Sequence, residues 1–281
     1  MNKIKLIANR ETNYVYHMLS VAKCGYDNDY GRKYRECYAE NDLVVLKQHE
    51  SMITVRGGEH CGELYGLLVS EPAQAKVTAK EYYESLLTMI EEDSVPEEGR
   101  KYIPVVEPIA KVMIKYYDSY VETIWPTEKE VIEGYIPQVQ AAFDENGFTE
   151  QAEAATGLDL QPECFVATMV TSVQNGAEAI NISEEQDVFG IERPVRDTVY
   201  FIAHEFIIFL LISEFVRLEL EQGLSTYNAL EGLAEFYLKQ TIGETGFFHD
   251  MDDYVCFYEE QVKQGPKTAV ELYNAAMAWK R

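Results

Sequence analysis

Basic residues are scarce in this chain: 24 Lys and Arg stand against 48 Asp and Glu in 281 residues, a formal charge of −24. A polyanion is repelled by phosphate backbones and by anionic lipid headgroups, so neither nucleic acid nor a membrane is expected as a partner. Cysteine is also sparse. Cys24, Cys37, Cys61, Cys164 and Cys256 are odd in number and widely spaced, with no C-x-x-C. That suits reduced thiols and a cytoplasmic location better than a disulfide framework. No G-x-S-x-G nucleophile elbow occurs. Gly265-Pro266-Lys267-Thr268 lacks the earlier glycine of a phosphate loop, and its proline removes a backbone donor. Arg56-Gly57-Gly58 is one turn, not an RNA-binding repeat. The first residues hold an apolar stretch too short for a signal peptide, broken by Arg10, Glu11 and Asn13. There is neither an internal repeat nor a low-complexity tract.

Long apolar runs are missing too, with one exception. From Val199 to Phe215 only His204, Glu205, Ser213 and Glu214 are polar. A surface helix would show a polar residue every third or fourth position, so this segment, opened near Asp197, predicts a helix buried on most of its surface. It is slightly short for a membrane span and carries an acid and a histidine inside, so no transmembrane segment is expected. A carboxylate in such a place needs a partner, because burying it ionised and alone costs several kcal/mol.

The rest of the pattern is mostly helical. Helices are expected over 11–24, 42–52, 78–92, 109–124 and from Thr127 to about Phe143, and again over 227–240 and from Thr268. Thr78 with Glu81, Thr127 with Glu130, and Thr268 with Glu271 each have capping-box spacing. Residues 94–99 read as a surface linker. Cys164–Val173 is β-branched and apolar, and Asn175-Gly176 separates it from a second such run at 178–182, which predicts a hairpin of those two strands.

The constellation that could carry chemistry is a strand hairpin, then His204-Glu205 on the buried helix, then Glu231-Gly232-Leu233-Ala234-Glu235 on a later helix. In H-E-x-x-H, two histidines four apart share a helix face and bind zinc, while the glutamate acts as general base toward a metal-bound water. Here Ile208 stands where the second histidine belongs. From Cys164 to Gln240 the chain resembles the gluzincin zinc metallopeptidases, whose third ligand is a glutamate on the next helix, often in an E-G-x-A context. Glu231 matches that position, with twenty-two residues between it and position 208.

The resemblance implies an α+β, mostly helical fold. Its parts would be a helical N-terminal region (1–160) and a gluzincin-like C-terminal region (161–281), in which a small sheet packs on the active-site helix; the two would form one compact unit. It also implies His204 and Glu231 as zinc ligands, Glu205 as the catalytic base, and the strand before the helix as the edge that pairs with a peptide. Ile208 has no lone pair to donate, so the ligand set is incomplete unless Glu235 or His249, the latter oriented by Asp250, completes it. Three readings follow. One is a pseudo-peptidase without catalytic zinc that binds a peptide or protein. The second is a working zinc peptidase with an altered ligand set. The third is a protein in which His204, Glu205 and Glu231 form a structural polar network. Tyr254 and Tyr258 lie where a family member could keep a transition-state-stabilising tyrosine. His17 and His60 have no metal spacing and read as ordinary histidines, and His49 as a solvated one.

Overall fold

A computed structural model describes residues 3–55, 60–173, 179–183, 186–191, 193–218, 224–243 and 251–279. In chain order the elements are β1 (Ile4–Ile7), α1 (Arg10–Val21), α2 (Asp29–Tyr34), α3 (Glu40–Gln48), α4 (Glu50–Ile53), β2 (Thr54–Val55), β3 (His60–Cys61), α5 (Glu71–Gln74), α6 (Ala79–Glu91), α7 (Ile103–Thr123) and α8 (Trp125–Asn146). There follow α9 (Phe148–Thr156), β4 (Phe165–Val170), β5 (Ala179–Ser183), β6 (Gln186–Gly190), α10 (Val195–Arg217), α11 (Leu224–Thr241), α12 (Asp252–Lys263) and α13 (Ala269–Trp279). The class is α+β and mostly helical. Two compact units emerge: Met1–Lys5 with Gln138–Val166 and Val195–Arg281, and Leu6–Pro137 with Ala167–Pro194. Neither is a continuous stretch of chain, and neither coincides with 1–160 or 161–281.

The unit holding Leu6–Pro137 is centred on α1, which is buried from Glu11 to Val21. Its polar residues tie it to its surroundings. Asn13 Nδ2 donates to the Met169 carbonyl at 3.0 Å, and Ser20 Oγ to that of Ser172 at 2.6 Å. The Glu11 carboxylate accepts from the Ala79 N–H at 2.7 Å, where α6 begins, and from the Tyr117 hydroxyl of α7 at 3.0 Å. The Thr78–Glu81 capping box forms as expected, and a buried carboxylate from another helix thus supplements it. Helix α7 starts six residues before the expected Ile109. Pro104 occupies its first turn, where no backbone donor is needed, and the helix continues through Pro108. Helix α8 starts at Trp125, so Thr127 lies inside it and does not cap it.

The main sheet has the order β1-β4-β6-β5. This corrects the expected hairpin of 164–173 with 178–182. Strand β4 lies between β1 and β6, and β5 pairs antiparallel with β6 instead, Ile180 opposite Val188. Strand β4 is almost wholly buried and needs a neighbour on each side to satisfy its backbone. Strand β1, which apolar patterning over four residues does not announce, supplies one, and β6 the other. The Asn175-Gly176 turn lies outside the described residues. The expected peptide-pairing edge is corrected as well: the strand preceding α10 is β6, flanked by β4 and β5, so the sheet edges are β1 and β5.

In the other unit α10 is the core helix. By length and composition it is apolar enough to cross a membrane, yet 67% of its apolar window is buried within the fold. Phe206 packs edge-on against Phe148 of α9, ring centres 5.6 Å apart, and against Phe165 at 6.0 Å. Helix α11 packs on α9, α10, α12 and α13. The Tyr258 hydroxyl of α12 donates to the Ala229 carbonyl of α11 at 2.7 Å, and Lys239 pairs with Glu259 at 2.9 Å. As expected, Thr268 and Glu271 form a reciprocal cap at the start of α13.

Candidate functional site

Residues four apart on a helix share a face. On α10 that rule places His204 beside Ile208, and on α11 it places Glu231 beside Glu235. The two faces meet. His204 Nε2 lies 2.9 Å from Glu231 Oε2, a hydrogen bond, and His204 Nδ1 lies 3.8 Å from Glu235 Oε2. Burial is deep: the His204 side chain is 2% exposed, Glu235 9% and Glu231 16%. Burial is the strongest single influence on the imidazole and pushes its pKa down. The hydrogen bond to Glu231 and the carboxylates of Glu235 and Glu205 nearby together outweigh it and raise the pKa to about 10. His204 is therefore an imidazolium at neutral pH, with a donor on each nitrogen and a carboxylate facing each.

Among the described residues the donor set does not complete a catalytic zinc centre. Such a site takes three protein ligands plus a water, each protein ligand offering a lone pair. Only Glu231 faces His204 Nε2; Glu235 lies toward the other nitrogen. The third position is filled by the buried hydrocarbon of Ile208.

The structure thus brings together His204, Glu231 and Glu235. Glu205 is half-buried, one residue further round α10, and contributes its charge to His204. His249 and Asp250 lie outside the described residues. Tyr258 directs its hydroxyl to the α11 backbone. Tyr254 packs against Gly232, and that contact explains the glycine of the Glu-Gly-Leu-Ala run. A Cβ at position 232 would stand 2.4 Å from Tyr254 Cβ, so α11 and α12 approach too closely for any side chain. Gly232→Ala is therefore expected to destabilise by about 1–3 kcal/mol through overpacking, despite the ~1 kcal/mol that alanine ordinarily gains over glycine in a helix. Urea melting of the variant checks this, and a raised midpoint would remove the contact as the reason for the glycine.

A second buried polar cluster, in the unit holding Leu6–Pro137, carries no sequence motif. His17 is fully buried among the rings of Tyr30, Tyr34, Tyr38 and Tyr120, with centroids 4.9–5.5 Å away. Its direction can be derived. Glu128 accepts from Tyr120 at 2.6 Å and from Tyr30. The single Tyr30 proton is thereby committed, so its oxygen accepts from His17 Nδ1–H. Nε2 is then the bare nitrogen and accepts from the Tyr38 hydroxyl at 2.5 Å. Burial pushes the His17 pKa down to about 3, and it pushes the Glu128 carboxyl up against the lowering hydrogen bonds of Tyr120 and Tyr30. The one available signal was the tyrosine density around residues 14–38; with 20 tyrosines in the chain, that density is not specific.

Comparison of the chain with protein-family models, with curated proteins and with solved structures returned no match.

Proposed function

We propose that this chain is a degenerate gluzincin-like protein: a cytoplasmic pseudo-peptidase in which a direct His–carboxylate contact replaces the zinc centre, and whose role is binding or regulation of a peptide or protein. The observation that carries this reading is the His204–Glu231 hydrogen bond beside the buried Ile208. The support for the ancestry is the surviving frame. His204-Glu205 sits on a buried helix, and a packed neighbouring helix carries Glu231 with Gly232 and Ala234. A protein that kept this frame but lost one imidazole keeps a helix pair that an ion no longer bridges. The two remaining partners then satisfy each other, since a buried charge without a partner is costly.

A metal measurement tests the proposal. The purified chain, dialysed after exposure to zinc, is expected to retain well under one zinc per molecule, and to cleave no peptide of a broad library in a chelator-sensitive way. Ile208→His is expected to gain zinc, because it restores H-E-x-x-H on the α10 face. One tightly held zinc in the unaltered chain, with cleavage lost in Glu205→Gln, would instead establish a working peptidase completed by Glu235 or His249. The purely structural reading draws on a separate observation, the Gly232–Tyr254 contact, which gives the E-G-x-A match a packing cause. Under that reading Ile208→His gains no metal.

A further inference from the structure

In the unit holding Leu6–Pro137 a cavity of about 180 Å³, partly open to solvent, is bounded by Leu67 from the turn at Gly66–Ser70, Leu86 and Ile90 of α6, Val95 of the following linker, and Ile103 and Val106 of α7. Its accessible wall contains no polar atom. Met89, 40% exposed, stands where the wall meets solvent. Gly99, on the 3-10 turn Glu97–Tyr102, closes one side; a Cβ there would press to 3.2 Å of Val95 Cγ1. A dry cavity of 150 Å³ lined by Leu, Ile and Phe is known to take benzene or xenon. By that measure this one admits a hydrocarbon group slightly larger than benzene and offers nothing to a polar one.

The surroundings select the head that such a group carries. Glu91, Glu92 and Asp93 follow Ile90 directly, Glu97 and Glu98 lie between two wall residues, and Glu63 accepts from the Tyr102 hydroxyl. Against these six exposed carboxylates the same stretches of chain carry two cations, Arg100 and Lys101. Arg100 is paired with Asp93 at 2.8 Å, and Lys101 lies 3.4 Å from Glu63. The excess of negative charge around the mouth repels an anionic head and attracts a cationic one.

We propose that this cavity is a binding site for a small amphiphilic cation, an alkyl- or arylammonium whose hydrocarbon part fills the pocket while its charge stays among the acids at the mouth. The proposal is independent of the reading of His204. It is tested on the full chain with methyl-labelled Leu, Ile and Val, titrated with hexylammonium, 1-hexanol and hexanoate at low salt. Saturable methyl shifts at Leu86, Ile90, Ile103 and Val106 are expected, with hexylammonium at least about fivefold tighter than hexanoate and the gap closing near 1 M salt, where the screening length falls to ~3 Å. Leu86→Phe, which fills the cavity, is expected to abolish the shifts. Met89→Trp, on the exposed side of α6, provides the same obstruction without touching the core. Absence of saturable shifts with hexylammonium overturns the proposal, as does hexanoate binding equally well, or unchanged shifts in both variants.

Discussion

Replacing His204 by leucine is expected to destabilise the protein by about 3–5 kcal/mol, the range for removing one member of a buried ionic set. The cost arises less from the lost hydrogen bond than from what is left behind. Glu231 and Glu235 lie one helical turn apart and are largely buried, and the imidazolium is the positive group that faces both. Without it two carboxylates share a low-dielectric site with Glu205 nearby. Replacing the whole set, His204→Leu with Glu231→Leu and Glu235→Leu, should recover much of the loss, because hydrocarbons can pack where isolated charges cannot. Ile208→Val, at the same face but outside the ionic set, should cost only about 0.5–1.5 kcal/mol. Urea denaturation of the three variants checks the series. A cost below about 1 kcal/mol for His204→Leu would mean that the two helices are not held by this contact.

The second large effect is a loss of stability in acid that originates at His17. Its pKa is depressed from 6.5 to about 3 by burial. The unfolded chain therefore takes a proton below about pH 6.5 that the folded protein refuses. A depressed group contributes stability that is present above its unfolded pKa and is lost as pH falls toward the folded value. The expected slope is about 1.4 kcal/mol per pH unit through that window. Glu128 acts with the opposite sign. Its raised carboxyl pKa favours the folded state as pH falls, so it offsets part of the slope once it takes its proton. His17→Phe separates the two. The variant loses the bonds to Tyr30 and Tyr38 and is less stable at neutral pH, but its stability should fall much less between pH 6.5 and 5 than that of the unaltered chain. Parallel curves for the two proteins would show that His17 is protonated, or solvated, in the folded state.

The sequence announced some features and hid others, for physical reasons. The burial of α10 is legible because seventeen residues hold only four polar ones, and no exposed helix tolerates that. The caps at Thr78 and Thr268 are legible because a capping box is closed by residues three apart, without help from elsewhere. Strand pairing is another matter. Asn175-Gly176 is a local turn signal, but the partner of β4 is chosen by long-range burial, and β6, reading Gln-Asp-Val-Phe-Gly, has almost no alternation to betray it. At the candidate site His204 and Glu231 stood out through the resemblance to the H-E-x-x-H and E-G-x-A motifs, and Glu235 through lying one turn beyond Glu231. What spacing could not tell is that Glu235 faces the second nitrogen and not the first. The His17 cluster was invisible because its members, from positions 17, 30, 38, 120 and 128, meet only after α1, α2, α7 and α8 have packed.

The discontinuity of the two units bears on how the chain is made. During synthesis, at about 5–20 residues per second, the apolar run of α10 leaves the ribosome before α11, which follows it in the chain, can pack on it. For some seconds the nascent polypeptide carries a bare segment with the length and greasiness of a membrane anchor. The burial of α10 is thus completed only when α11, which follows it in the chain, has folded against it.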